Sequence, residues 1–247
     1  MKVDQDFSAA IFNADFEKAA RLLAEGADIN KVTTTMEPDE RGMYEDTTTY
    51  LIEAALRGRV ETVRFLLANG ADPNIAGKFT GQTALLAATT GGYADVVDLL
   101  LQYGADSSAV DHPSKFSAME YAISNENAAI VRSLLLAGAR LTFRRLSFNR
   151  EGGAEAREIV RLLIKRGFDI NKRDDWGRTP LMWAAERAPL ETIQFLVDSG
   201  ADVNIVSGKN MNGVWSKETA LQFARRAKRS DVVALLMRYG AHGKSLR

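Results

Sequence analysis

Pairs of adjacent apolar residues recur along this chain, and each pair lies three and four positions before a glycine. The segments that lead into the pairs, such as residues 61–67 and 95–101, place apolar side chains on one face at the period of an α-helix. The glycine falls just past the predicted helix end, where a left-handed backbone is common. The pairs are Leu22-Leu23, Leu66-Leu67, Leu100-Leu101, Leu134-Leu135, Leu163-Ile164, Leu196-Val197 and Leu236-Met237.

The glycines themselves define a repeat. Gly-Ala-Asp begins at Gly26, Gly70, Gly104 and Gly200, and related triplets begin at Gly138, Gly167 and Gly240. The steps between successive glycines are 44, 34, 34, 29, 33 and 40 residues, so the chain repeats every 33 or 34 residues with two insertions and one deletion.

A second helix is predicted earlier in each repeat. A hydroxyl residue lies 21 positions before most of these glycines and is suited to cap a helix by accepting a hydrogen bond from a free backbone N–H. Short Ala-rich apolar segments such as residues 84–88 and 181–185 follow it. The predicted caps are Thr49, Thr83, Ser117, Thr179 and Thr219.

Residues 174–204 resemble one ankyrin repeat nearly in full, with Thr179-Pro180-Leu181 and Gly200-Ala201-Asp202 in phase. The family's usual His after Pro-Leu is Met182 here. The resemblance covers almost the whole chain and implies an all-α solenoid of helix-turn-helix units with short β-hairpin loops. Because no unit buries its apolar face alone, we expect a single domain over residues 1–247. Its seven units lie near 3–32, 47–79, 80–113, 114–141, 142–173, 174–206 and 214–245.

Residues 33–46 are an insertion that carries five acidic residues and one basic residue. One interpretation is a solvated hairpin extension. The other is a finger that contacts a partner through Met36, Met43 and Tyr44, because long loops often carry function. A second insertion, residues 207–214, is rich in Gly and Asn.

The fifth unit deviates most from the repeat. Its first helix would use residues 144–150, and Glu151-Gly152-Gly153 stands where two alanines are expected. Gly is a poor helix former, so we expect a stacking irregularity there. The second helix of this unit is predicted near residues 155–166.

Charge is unevenly distributed, although 32 basic and 32 acidic residues give a net charge of zero. Residues 1–139 hold 11 Lys and Arg and 20 Asp and Glu, whereas residues 140–247 hold 21 and 12. This division either orients a charged partner or only solvates the helices. The acidic first half disfavours nucleic acid, and the basic cluster at residues 225–229 suits a terminal cap.

Residues suited to catalysis are sparse. There is no cysteine, and the two histidines, His112 and His242, have no partner at metal-ligand spacing. Adjacent carboxylates such as Asp174-Asp175 are interpreted as solvated turn residues. No phosphate-binding or nucleophile-elbow motif is present. We therefore expect no enzymatic activity, no small-molecule substrate, no cofactor and no metal.

The first ten residues lack the basic and apolar regions of a signal peptide, and no apolar run reaches a membrane-spanning length. The cytoplasm is the expected compartment, with a trimmed leader as the alternative. We expect a monomer.

The resemblance implies that first helices and hairpins line a concave face that binds proteins. The residue four positions after the cap partly faces that groove, and aromatic residues and Arg are enriched at interface hot spots. For Trp183 and Phe223, packing between neighbouring helices is an equal alternative. The predicted partner-binding residues are Tyr44, Tyr121, Arg150, Trp176, Trp183, Trp215 and Phe223.

The sequence thus predicts a protein-interaction module, and as a sharper variant an inhibitor or immunity-type protein that occludes an enzyme. A scaffolding adaptor, or binding of nucleic acid or an anionic surface through the basic half, are the alternatives.

Overall fold

A computed structural model of the chain describes residues 2–39, 42–112, 114–140, 153–209, 213 and 217–242; side chains of residues 35–39 and 42–45 lie outside the description. Within these ranges the protein is an all-α structure with one added β-hairpin. The helices are α1 (Lys2–Phe12), α2 (Phe16–Ala24), α3 (Tyr50–Leu56), α4 (Val60–Ala68), α5 (Ala84–Thr90), α6 (Ala94–Gln102), α7 (Ala118–Ser124), α8 (Ala128–Leu136), α9 (Gly153–Lys165), α10 (Pro180–Arg187), α11 (Leu190–Asp198), α12 (Ala220–Arg226) and α13 (Ser230–Arg238).

The chain divides into two compact units. The N-terminal unit comprises Met1–Tyr121 with Ser133–Arg140, and the C-terminal unit comprises Ala122–Arg132 with Leu141–Arg247. The single domain expected over residues 1–247 stays a prediction.

The first leucine of each apolar pair that marked the repeat is buried in the core of its unit. Leu66 and Leu100 are fully buried in the N-terminal unit, as are Leu196 and Leu236 in the C-terminal unit. The alanines of the short first helices, such as Ala88 and Ala184, are also buried. Small side chains there let neighbouring helices approach closely, so the all-α repeat fold predicted from the sequence is confirmed.

Four of the five predicted helix caps form as expected. The hydroxyl of Thr49 accepts from the Ile52 N–H at 3.2 Å, and that of Thr83 accepts from the Leu86 N–H at 3.3 Å. Ser117 and Thr179 accept from N–H groups three residues on at 3.4 Å. At Thr219 the direction is reversed, because its own N–H donates to the Gln222 side-chain oxygen at 2.7 Å.

Asparagine side chains connect successive repeats within each unit. Asn74 lies in the loop after α4; its side-chain oxygen accepts from the Asp106 N–H at 2.7 Å, and its amide donates to the Gly104 carbonyl at 3.2 Å. Asn171 makes the same pair of bonds to Asp202 and Gly200, at 2.8 and 3.1 Å. Each asparagine therefore satisfies loop groups of the next repeat, and Asn30 and Asn204 extend the series.

Ser108 occupies the asparagine position of its repeat, two residues after Asp106. Its hydroxyl and N–H both bond to the Asp106 carboxylate, at 2.7 and 2.8 Å. A serine is too short to make the two-bond bridge that Asn74 makes, so this repeat lacks the asparagine bridge to residues 138–140.

The insertion at residues 33–46 forms an antiparallel hairpin. Strand β1 (Thr33–Asp39) pairs with β2 (Gly42–Thr48), with Thr33 opposite Thr48 and Asp39 opposite Gly42. The insertion therefore forms a hairpin, and its contact with a partner through Met36, Met43 and Tyr44 stays a prediction. In the fifth unit the second helix is α9, which starts at Gly153, two residues earlier than predicted; the expected first helix at residues 144–150 lies outside the described residues.

We expect Asn74→Ala to lower the free energy of unfolding by about 1–2 kcal/mol, because the N–H of Asp106 and the carbonyl of Gly104 lose their partner. Urea unfolding followed by circular dichroism measures the change. Asn69→Ala is the matched control, since the Asn69 amide bonds only within its own helix end, to the Phe65 carbonyl at 2.8 Å. Equal losses in both variants would show that the bridge between repeats contributes nothing.

The converse change, Ser108→Asn, is expected to raise the free energy of unfolding by up to about 1 kcal/mol, since it restores the two-bond bridge toward residues 138–140. The same urea titration measures it. An unchanged or lowered stability would mean that the loop at residues 138–140 does not accept the bridge.

Candidate protein-binding surface

In the C-terminal unit, the hairpin before α10 is organised around the buried carboxylate of Asp174. One oxygen accepts from the N–H groups of Trp176 and Arg178, both at 2.9 Å. The other accepts from the indole N–H of Trp183 on α10 at 2.6 Å. Burial raises the pKa of Asp174 and outweighs these bonds, which lower it. One side chain therefore fixes the hairpin turn and the first helix together.

The two tryptophans tied to Asp174 contact each other. The rings of Trp176 and Trp183 lie edge to face with centroids 6.3 Å apart and an interplanar angle of 87°. Both side chains are half-buried. Rings held in this way lose little conformational freedom when a partner binds, which favours tight contacts.

Arg178 continues the surface from Trp183 to α12. Its guanidinium carbon lies 4.4 Å from the centroid of the Trp183 ring and 4.3 Å from that of the Phe223 ring. It also bonds to Glu186 at 3.2 Å. Glu186 in turn pairs with Arg226 at 2.9 Å, and Arg226 pairs with Glu218 at 2.9 Å. Alternating charges thus hold the arginine side chains in place beside the aromatic rings.

Phe223 lies inside the protein instead of on this surface. Its side chain is 0% exposed, and the guanidinium groups of Arg178 and Arg226 both lie over its ring, at 4.3 and 4.7 Å from the centroid. The packing alternative therefore applies to Phe223, which cannot contact a partner directly while the unit keeps this arrangement.

Tyr121 belongs to a related arrangement in the N-terminal unit. Its hydroxyl donates to Asp111 at 2.7 Å, and the other oxygen of Asp111 accepts from the Phe116 N–H at 2.6 Å. Burial, together with the adjacent carboxylate, raises the pKa of Tyr121 to about 12. The phenol therefore stays neutral and half-buried, with its ring 5.6 Å from that of Phe116.

The loop that begins at residue 77, one repeat before Asp111, lacks an aspartate of its own, because Gly77 holds the corresponding position. The carboxylate of Asp46, from the inserted hairpin, takes its place: it accepts from the Phe79 N–H at 2.9 Å and from the Thr80 hydroxyl. A side chain on Gly77 would start 2.9 Å from that carboxylate. Burial alone would raise the pKa of Asp46, but bonds from Thr80, Phe79 and Thr47 hold it below its usual value.

Three predicted surface residues cannot be placed in the same way. Arg150 and Trp215 lie outside the described residues, and Tyr44 lies in β2 with its side chain outside the description. Trp176 and Trp183 are brought together in the C-terminal unit, and Tyr121 lies in the N-terminal unit. Partner binding by these residues stays a prediction.

The organising aspartates were missed by sequence reasoning. Asp174 was expected to be a solvated turn residue, which is wrong because it is 7% exposed, whereas its neighbour Asp175 is exposed as expected. The signal was present in the repeat phase: positions 77 and 111 are 34 residues apart, and positions 174 and 207 are 33 apart. A polar residue holds this position at Asp111, Asp174 and Ser207, although not at Gly77, and such a recurrence indicates a buried partner for turn N–H groups.

In the part of the chain that the structure describes, no three His, Asp or Glu side chains are grouped closely enough to hold a metal ion. None of the described helices has the length and hydropathy needed to cross a membrane.

Helix-turn-helix repeats with structured hairpins and a preorganised side-chain surface define a repeat protein of the interaction-module class. The family described as "Ankyrin repeats (3 copies)" matches residues 7–111, 51–145 and 154–245. The chain therefore belongs to the ankyrin repeat family, a fold that is typically a binding module without catalysis.

Curated relatives are larger proteins. The E3 ubiquitin-protein ligase XBAT33 of Arabidopsis thaliana is 32% identical over 154 residues, which span 62% of this chain and 29% of that protein. The ankyrin repeat and KH domain-containing protein mask-1 of Caenorhabditis elegans is 30% identical over 61% of this chain and 6% of its own length. The chain thus spans less than a third of either relative.

Solved structures are similar over more of the chain. The ankyrin repeat domain of human ASB11 has a TM-score of 0.68 and 25% identity over 96% of this chain and 99% of that one. A chain in the structure of the Bd0816 predatory endopeptidase from Bdellovibrio bacteriovorus in complex with immunity protein Bd3460 has a TM-score of 0.62 and 28% identity, covering 76% of this chain and 96% of that one.

We expect Asp174→Asn to lower the free energy of unfolding by about 1–3 kcal/mol, because three donors share a carboxylate that an amide replaces only in part. Tryptophan emission reports the change directly, since Trp183 loses its charged acceptor. The control is Asp175→Asn at the exposed neighbour, expected to stay within about 0.5 kcal/mol of the unaltered chain. A large loss in the control alone would contradict the assignment.

The two buried aspartates are expected to affect acid stability with opposite sign. The pKa of Asp46 is lower in the folded state, so its stabilising contribution is present above its ordinary value of 3.8 and is lost as pH falls through the folded value. Asp46→Asn should therefore flatten the loss of unfolding free energy below about pH 4.

The pKa of Asp174 is raised instead, so its contribution declines as pH rises above the ordinary value of 3.8. Asp174→Asn should remove that decline. Urea titrations at a series of pH values measure both slopes; slopes of the same sign in the two variants would refute the contrast.

Proposed function

We propose that this protein binds a partner protein through the Trp176–Trp183–Arg178 surface of the C-terminal unit. The observation that carries the proposal is that half-buried Trp and Arg side chains are held in fixed geometry by Asp174 and Glu186. Trp and Arg are the residue types that most often dominate binding energy, and preorganisation reduces the entropy lost on binding.

The sharper form of the proposal is an inhibitor or immunity-type role in which the partner is an enzyme. Support comes from the similarity to a chain in the endopeptidase–immunity protein complex. The hairpin of β1 and β2 adds a blocking element, because seven residues per strand extend roughly 20 Å. An acidic projection of that length suits an enzyme cleft or a basic rim.

The described basic residues do not favour nucleic acid. Within the cluster at residues 225–229, Arg226 is paired with two glutamates. Arg229 donates to the Ala188 carbonyl at 2.5 Å. Arginines used in this way hold α10 and α12 together and are less available for phosphates.

The first test is affinity capture from native lysate, followed by a binding titration with the purified partner. Trp176→Ala should weaken binding by at least about 2 kcal/mol, about thirtyfold in Kd, if Trp176 is a hot spot. Trp176 is the cleaner target because Trp183 also holds Asp174. The control is Met237→Ala, an exposed residue on α13 in the same unit. Equal affinity of the Trp176 variant and the unaltered chain would remove the C-terminal surface from the proposal.

The inhibitor role is tested by measuring the captured partner's enzymatic activity with one equivalent of the chain. A variant in which residues 36–45 are replaced by an Asn-Gly turn keeps Thr35 opposite Asp46 and shortens the hairpin. If the hairpin blocks the enzyme, this variant still binds but inhibits less. An enzyme whose activity is unchanged by the full chain, or a partner that is not an enzyme, would favour the adaptor alternative.

A further inference from the structure

The N-terminal unit contains a groove of about 370 Å³ on the side where the hairpins meet the first helices. Helices α3, α5 and α7 contribute to its floor, and residues 46–48, 80–82 and 111–112 contribute to its rim. Three carboxylates line it, those of Asp46 from the insertion and of Glu53 and Asp111 from the two following repeats, and none of the described residues lining it is Lys or Arg.

The described hydrogen bonds to two of these carboxylates come only from uncharged donors. Asp46 is 4% exposed and accepts from the backbone N–H groups of Thr47, Phe79 and Thr80 and from the hydroxyl of Thr80. Asp111 accepts from the Phe116 N–H and the Tyr121 phenol. The bonds that lower the pKa of Asp46 keep it charged at neutral pH. A buried charge is normally paired with an opposite charge, whereas the residues lining this groove carry three carboxylates and no Lys or Arg.

Acceptor capacity also remains. An ionised carboxylate offers about four lone-pair sites; Asp46 already accepts from four donors, whereas the described contacts use two sites on Asp111. Glu53 pairs with Arg57 at 2.6 Å, and Arg57 is not among the lining residues. A second cation, Lys115, contacts His112 Nδ1 at the rim, at 2.6 Å. A cation entering the groove would therefore find acceptor positions on Asp111, the buried negative charge of Asp46, and the Glu53 carboxylate shared with Arg57.

The remaining walls suit a long aliphatic stem. Ile52, Leu56 and Leu86 line the groove, and Leu56 is 43% exposed although it is a large apolar residue. Lysine and arginine bury their methylene chains along apolar surface while the charged head stays with polar groups. The combination of apolar wall and carboxylates matches that side-chain type better than a compact inorganic ion.

We propose that the groove binds a lysine or arginine side chain of the partner protein, with its methylenes against Leu56 and its charged head among the carboxylates of Asp46, Glu53 and Asp111. The inference rests on the proposed function for the existence of a protein partner, and it specifies the chemistry of the segment that the N-terminal unit recognises. It places this contact in a different unit from the tryptophan surface.

The test uses short peptides and needs no knowledge of the partner. The full chain with labelled Ile and Leu methyl groups is titrated by NMR with acetyl-Ala-Lys-Ala-amide and acetyl-Ala-Arg-Ala-amide. The neutral control replaces the central residue by norleucine, which keeps the stem and removes the charge. We expect the cationic peptides to shift the methyl signals of Ile52, Leu56 and Leu86 with Kd values in the millimolar range, and the norleucine peptide to shift them several-fold less.

Two substitutions at the rim separate charge from structure. Glu53→Gln removes a groove carboxylate that caps no turn and should weaken the cationic peptides about threefold to tenfold. Arg57→Gln removes the competing cation and should tighten them, an increase that damage to the fold would not produce. Asp98→Asn, on the exposed face of α6, is the control and should change nothing. Circular dichroism verifies that each variant is folded.

Shifts of equal size with the norleucine peptide would overturn the proposal in favour of an apolar groove. Displacement of the lysine peptide by calcium chloride, with the same methyl shifts, would overturn it in favour of a metal ion. Absence of any methyl shift with either cationic peptide would refute it outright, even if the protein partner is captured and Trp176→Ala weakens it. Conversely, cation binding without a captured partner would leave the groove established and the proposed function unsupported.

Discussion

A pair of short helices has too little interior to bury its own leucines, and this constraint governs the whole chain. Leu66 and Leu100 are fully buried because they lie between neighbouring helix pairs of the N-terminal unit. Each buried leucine contributes roughly 1.5–3 kcal/mol, but only while the adjacent repeat is present. Stability within each unit is therefore a property of contacts between repeats. The polar groups at the ends of the helices must then also be satisfied across repeats.

Polar side chains satisfy these groups in two places, the loops after the second helices and the turns before the first helices. Asn74 and Asn171 connect the loops after the second helices, and Asp111 and Asp174 organise the hairpins that precede the first helices. Each of these residues bonds to backbone groups that an unpaired turn would leave exposed or unsatisfied. The same bonds fix Tyr121 and Trp183, so the residues that order the hairpins also order the surface offered to a partner.

The helices and most of their caps could be predicted because apolar periodicity and a hydroxyl at Thr49 or Thr83 depend only on nearby residues. The site was harder, because it depends on contacts between residues far apart in the chain. Phe223 and Trp183 occupy corresponding positions four residues after their caps, yet one is fully buried and the other half-buried. Arg178 lies over both rings, and Arg226 lies over the Phe223 ring as well. Asp46 serves a turn 33 residues away, which no local pattern reveals.

The Asp46 carboxylate accepts hydrogen bonds from the next loop and so anchors the base of the inserted hairpin. Residues 46–48, at the base of the inserted hairpin, are fastened by bonds to Lys78, Phe79 and Thr80. The position of the base therefore does not depend on the number of residues between Thr35 and Asp46. We therefore expect insertions and deletions at the tip to leave the contacts between repeats unchanged. The hairpin tip is thus a site where new recognition sequences can evolve or be grafted while the repeats stay unchanged.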